Sequence, residues 1–139
     1  MVQRTTLIFV ASGFAAAFVL AAAGQPSALA QTQPGLWEIS GAPGTSGPIR
    51  QCVADVASLA RFEHRSKACS AKILKDANSL VSVEYSCRGA GFGYSQIDVI
   101  TPRSLRISTQ GISGGLPFNY VLQARRIDDC AKTTASTRH

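Results

Sequence analysis

Cys69-Ser70-Ala71-Lys72-Ile73-Leu74-Lys75-Asp76-Ala77-Asn78-Ser79-Leu80-Val81-Ser82-Val83-Glu84-Tyr85-Ser86-Cys87 reads as one β-hairpin closed by its own ends. Two strand-like stretches, Lys72–Lys75 and Leu80–Tyr85, flank Asp76-Ala77-Asn78-Ser79. Asp and Asn bond their own backbone and tolerate left-handed geometry, so that tetrapeptide reads as the turn. With Asn78 at the centre, Cys69 falls directly opposite Cys87. Cross-strand neighbours have Cβ atoms about 4.5–5.5 Å apart, close enough for a disulfide. The expected pairing is therefore Cys69–Cys87, which leaves Cys52 for Cys130.

The cysteine count supports this reading. All four cysteines lie beyond residue 50, and an even number in a small exported chain forms a disulfide framework. No two are separated by two residues, so there is no C-x-x-C redox motif. The two histidines, His64 and His139, do not sit at zinc-site spacing from any cysteine. No metal, cofactor or catalytic set is expected.

Residues 1–30 read as an export leader. Arg4 is followed by an apolar run from Leu7 to Ala23, then by Gln25-Pro26-Ser27 and Ala28-Leu29-Ala30. This is the charged, apolar and A-x-A order of a secretory signal peptide, with cleavage expected between Ala30 and Gln31. The run is short for crossing about 30 Å of hydrocarbon, and no later segment is apolar enough to span a membrane. The expected organisation is a leader over 1–30, a disulfide-stapled domain over 31–130 and a flexible tail over 131–139. The product is expected in the periplasm or secreted.

Outside the hairpin the mature chain is a series of short strands and turns. Gly35–Ser40 alternates and carries the single Trp, Trp37. Gly41–Pro48 is a loop or wide turn, and Ile49–Val53 returns as a strand. Asp55–Arg65 is the one helix candidate, with Asp55 as N-cap and Val56, Leu59 and Ala60 at helical spacing. Tyr94–Ile100, Ser104–Thr109 and Phe118–Ile127 alternate as strands. Gly111–Pro117 reads as a glycine-rich loop. Connections this short exclude parallel crossovers. The expected fold is mainly β: a small antiparallel meander or partial barrel with one short helix and two disulfides.

Three patterns imitate chemistry. Gly111-Ile112-Ser113-Gly114-Gly115 matches G-x-S-x-G, but a nucleophile elbow needs a strand-to-helix turn and a later His, and here a strand follows. Gly89-Ala90-Gly91-Phe92-Gly93 has no helix N-terminus behind it to hold a phosphate, so its glycines read as a bend. His64 lies among Arg61, Glu63, Arg65 and Lys67 and reads as a solvated side chain. Asp128 and Asp129 are adjacent and point to opposite faces of a strand.

The chain carries a formal net charge of +6. Without Arg4, thirteen basic residues face eight acidic ones. Such a balance favours an anionic surface or an envelope protein as partner. The basic residues are scattered, and an exported chain without aromatic stacking platforms is not a nucleic-acid binder.

Several landmarks together resemble the bacterial domain of unknown function 3617 family. They are Pro34-Gly35-Leu36-Trp37-Glu38, Gln51-Cys52-Val53, the hairpin from Cys69 to Cys87 followed by Arg88-Gly89, and Arg126-Ile127-Asp128-Asp129-Cys130. The resemblance covers Pro34 to Cys130. This chain departs from the family in shorter loops at Gly41–Pro48 and Ser108–Pro117. It has no methionine beyond Met1, and Asp128 stands where a Gly is usual. The resemblance implies an exported location and no established activity.

The leading expectation is a non-catalytic envelope protein that binds a partner or ligand. Trp37, Phe92, Tyr94, Phe118 and Tyr120 are the candidate ligand face. One alternative is an inhibitor of a cell-wall hydrolase, although a basic inhibitor would be repelled by a basic lysozyme. The others are a hydrolase built from His64, Ser113 and a carboxylate, and a thiol–disulfide role through a reducible bridge.

Overall fold

The computed structural model describes residues 26–131. Seven strands form one antiparallel sheet: β1 (Gly35–Ser40), β2 (Ile49–Val53), β3 (Cys69–Ala77), β4 (Leu80–Cys87), β5 (Gly91–Thr101), β6 (Ser104–Ser113) and β7 (Leu116–Asp128). Their order is β2-β1-β7-β6-β5-β4-β3. β3 to β7 run as a meander, and β1 then lies against β7, so the first hairpin joins the last strand. β2 and β3 are the two edges, and the sheet stays open.

Alternation decides which face is covered. Val81, Val83 and Tyr85 of β4, Ile97 of β5, Leu105 and Ile107 of β6, and Leu122 and Ala124 of β7 are all buried. Successive strand residues point to opposite faces, so these side chains line one face of the sheet. Trp37 and Ile39 of β1 and Val53 of β2 join them. Each large aliphatic group so buried contributes on the order of 1.5–3 kcal/mol.

The lid on that face is a 3-10 helix over Val56–His64. It forms where the helix was expected. Asp55 caps it, its carboxylate accepting from the Ala57 amide at 3.0 Å. Arg61 leaves helical geometry at φ −107°, ψ 35°, which breaks the helix into two turns. Val56, Leu59, Ala60 and Phe62 pack into the core. His64, the last residue of the helix, is also buried, 2 % exposed. The expectation of a solvated His64 is corrected: its ring packs against Tyr85 and Phe118 of the sheet, and both its nitrogens find hydrogen-bond partners.

Both disulfides pair as expected. Cys69 and Cys87 face each other with Cα atoms 4.0 Å apart, and Cys52 and Cys130 stand at 5.5 Å. Cys52 lies on edge strand β2 and Cys130 just past β7, so their bridge spans β1. With sequence separations of 18 and 78, loop entropy assigns the two bridges about 3 and about 4.5 kcal/mol.

Two boundaries differ from expectation. The Gly111–Pro117 loop is instead a tight hairpin, with β6 running to Ser113 and β7 restarting at Leu116. Gly114 and Gly115 both have positive φ, 56° and 80°, as a two-residue turn matching strand twist requires. The folded unit also begins before Gln31. Ser27–Leu29 forms a 3-10 turn with Ala28 and Leu29 buried, and Pro26 is buried beside them. Residues 1–25 of the expected leader over 1–30, and residues 132–139 of the expected tail over 131–139, lie outside the described residues.

Candidate functional site

Two glycines set up the interior of the site. Gly93 of β5 and Gly111 of β6 are direct partners. A Cβ on Gly93 would stand 2.5 Å from the Tyr85 ring, and one on Gly111 would stand 2.1 Å from the Phe92 carbonyl oxygen and 3.0 Å from the Phe118 ring. The missing side chains leave a notch in the covered face, and the rings of Tyr85 and Phe118 fill it.

His64 completes this cluster. Its ring centroid lies 5.5 Å from Tyr85 and 5.8 Å from Phe118, edge-on to both. Its Nε2 is 3.1 Å from the Ala90 carbonyl and its Nδ1 3.2 Å from the Tyr85 hydroxyl. A carbonyl only accepts, so Nε2 carries the proton; in the neutral ring, Nδ1 then accepts from Tyr85. Ser95 donates its only proton to the Ala60 carbonyl. Its oxygen is 2.7 Å from Thr109 Oγ1. Among the described residues every buried side-chain N or O has a partner.

In front of this cluster lies a cleft of about 410 Å³. Phe62, Glu63 and Arg65, from the end of the 3-10 helix, form one wall. Pro117, Phe118, Asn119 and Tyr120, at the start of β7, form the other, and Pro43 and Ile49 also line the cleft. The Phe118 and Tyr120 rings are 5.8 Å apart and tilted by 44°. The Tyr120 hydroxyl donates to Glu63 Oε2 at 2.6 Å. The Arg65 guanidinium stacks 4.3 Å over the Phe62 ring. The cleft therefore has aromatic walls with one carboxylate and one guanidinium held beside them.

Burial, and then the Glu63 carboxylate, push the Tyr120 hydroxyl far above its usual range. Burial also raises Tyr85, with a smaller push from the charge on Glu63 and an opposing hydrogen bond from Thr109. Both phenols remain donors at any physiological pH.

The expected aromatic face divides three ways. Trp37 is fully enclosed, its Nε1 donating to the Gln33 carbonyl at 3.2 Å, so it leaves the set. Phe92 and Tyr94 alternate with buried Gly93 and Ser95 and so point to the opposite face of the sheet. There Phe92 is 55 % exposed, and Tyr94 donates to Ser82 Oγ at 3.2 Å. Phe118 and Tyr120 alone line the cleft. Family models, curated proteins and solved structures were all compared with this chain, and none matches.

His64 accepts from Tyr85 and donates to Ala90, and does not bond Ser113, which ends β6 at a hairpin rather than a strand-to-helix turn. Among the described residues no three His, Cys, Asp or Glu side chains gather to hold a metal ion. Arg126 is a clasp: its Nε donates to the Pro34 carbonyl at 2.9 Å and its Nη2 pairs with Asp129. Arg50 and Arg125 share Glu38.

Glu63 and Arg65 were the site residues that sequence reasoning passed over, and His64 was read as solvated or as part of a hydrolase. A signal for them existed. Gly91 and Gly93 share one strand face, and a strand that omits side chains twice on its covered face needs something bulky from elsewhere to fill it.

Proposed function

We propose that this chain is exported and acts in the bacterial envelope as a non-catalytic binding module. Its ligand site is the cleft between the end of the 3-10 helix and β7. The observation that carries the reading is the pair of fixed polar groups at aromatic walls: Glu63 held by Tyr120, and Arg65 held over Phe62. Small-molecule sites combine an apolar lining with a few placed polar groups in this way. The ligand that fits has an apolar body and a polar end carrying a hydrogen-bond donor or a charge.

Export is supported by the leader pattern of the first residues and by two disulfides, which persist in oxidising compartments. No helix among the described residues is long and apolar enough to cross a membrane. The non-catalytic reading is supported by the engagement of both His64 nitrogens in the frame of the fold. The likeness to the domain of unknown function 3617 family belongs to the same proposal. Its support is the Cys69–Cys87 and Cys52–Cys130 pairing, together with the start of β1 at Gly35.

Native mass spectrometry of the protein, released gently from the envelope of its own host, tests this reading. The expected result is a folded monomer carrying extra mass that dissociates on activation. A bare protein, with no small molecule recovered on denaturation, contradicts it.

A further inference from the structure

Leu29 is 0 % exposed, in the same core as Val56, Val81 and Leu105. It is held there on several sides. The Asp76 carboxylate, at the end of β3, accepts from the Ser27 amide at 2.7 Å, the Ala28 amide at 2.9 Å and the Ser27 hydroxyl at 3.0 Å. The Thr32 amide and hydroxyl both donate to the Leu29 carbonyl, at 3.0 and 2.6 Å. A cut between Ala30 and Gln31 would remove Leu29 from the core. It would release all three Asp76 contacts, break both Thr32 bonds to Leu29, and set a new ammonium one residue from buried Thr32. A domain that must fold after export would then lack part of its own core.

We infer that the leader is instead removed upstream of Pro26, within the small-residue run Ala21-Ala22-Ala23-Gly24, and that Pro26–Leu29 stays in the mature protein as an N-terminal plug. A leader peptidase needs small side chains at the third and first positions before the bond it cuts. Ala21 with Ala23 satisfies this, as does Ala22 with Gly24. The mature chain then starts at Gly24 or Gln25, and Pro26 stays clear of the cut bond. The step is hydrolysis of one peptide bond: water gives its OH to the new carboxyl of the leader and its hydrogen to the new α-amine. The inference rests on the export proposed above and moves the processing site.

The test is the intact mass of the full chain after expression and export in a bacterial host, with sequencing of its first residues. A start at Gly24 or Gln25 is expected. A start at Gln31 overturns the inference and leaves export standing. A chain retaining Met1 overturns both. A second measurement is independent of the mass. Leu29→Ala, made in the full chain and exported, lowers the thermal midpoint of the mature protein by at least about 5 °C if the plug is retained. An unchanged midpoint overturns the inference, because residue 29 would have left with the leader.

Discussion

Cys69 faces Cys87 because Leu74 faces nothing. Near the turn the pairs are Ala77 with Leu80, Asp76 with Val81 and Lys75 with Ser82. The next pair is Ile73 with Val83, so Leu74 is an unpaired bulge residue. The turn itself is the dipeptide Asn78-Ser79, with Asn78 at φ 55°. Without the bulge that two-residue turn would set Cys69 opposite Arg88. One extra residue in β3 corrects the register, and a disulfide locks it.

Deleting Leu74 is therefore expected to leave both disulfides intact. Ile73 moves next to Lys75, still meets Val83, and the hairpin becomes regular. Deleting Ser82 from β4 doubles the mismatch, and the Cys69–Cys87 bridge, valued at about 3 kcal/mol, fails. Non-reducing peptide mapping of the two deletions checks this. Loss of the bridge in the Leu74 deletion would contradict it.

Gly93→Ala should destabilise by about 1–3 kcal/mol, the usual cost of forcing a methyl into a filled interior. The clash is with the Tyr85 ring at 2.5 Å. Gly89→Ala is the contrast, because no atom stands near its Cβ and only its positive φ of 69° opposes the change. Urea denaturation of both variants measures the two costs separately.

Tyr120→Phe removes the hydrogen bond to Glu63 and should cost about 1 kcal/mol, since Glu63 is half-buried and water replaces part of the bond. The same tyrosine gives an alkaline limit. Tyr85 and Tyr120 are raised in the folded state, so the folded protein binds more protons than the unfolded chain at high pH. Their contribution is full below the ordinary phenol value near 10 and is lost as pH rises above it. Stability against pH from 8 to 12 should fall less steeply in Tyr120→Phe than in the parent.

Asp76 behaves in the opposite sense. The Ala28 amide, then the Ser27 amide, hold its carboxyl below the ordinary value of 3.8. Its contribution is present above that value and is lost as pH falls through the lower, folded one. Asp76→Asn should lower the thermal midpoint at pH 7, and the gap to the parent should close as pH falls below about 4. A gap unchanged down to pH 2 would contradict the clamp.

Much of the sheet was legible because it depends on period-two alternation and turn residues. Leu105-Arg106-Ile107-Ser108 announces its covered face by itself, and Gly35–Ser40 is bounded as the sequence reads. The cysteine pairing was legible although the turn centre was misplaced by half a residue, because the Leu74 bulge cancels that shift by Cys69. The site was less legible. His64 looks solvated in a run of charges, and the partners that hold it inside, Tyr85 and the Ala90 carbonyl, lie 21 and 26 residues further along the chain. Trp37, Phe92 and Phe118 are alike in composition, yet strand register sends them to the core, the outer face and the cleft.

The most direct test of the binding account is native mass spectrometry of the parent beside a Glu63→Gln, Tyr120→Phe double variant, both purified from the envelope of the same host. The account predicts extra mass on the parent and little or none on the folded variant. Equal extra mass on both, or none on either, would contradict it.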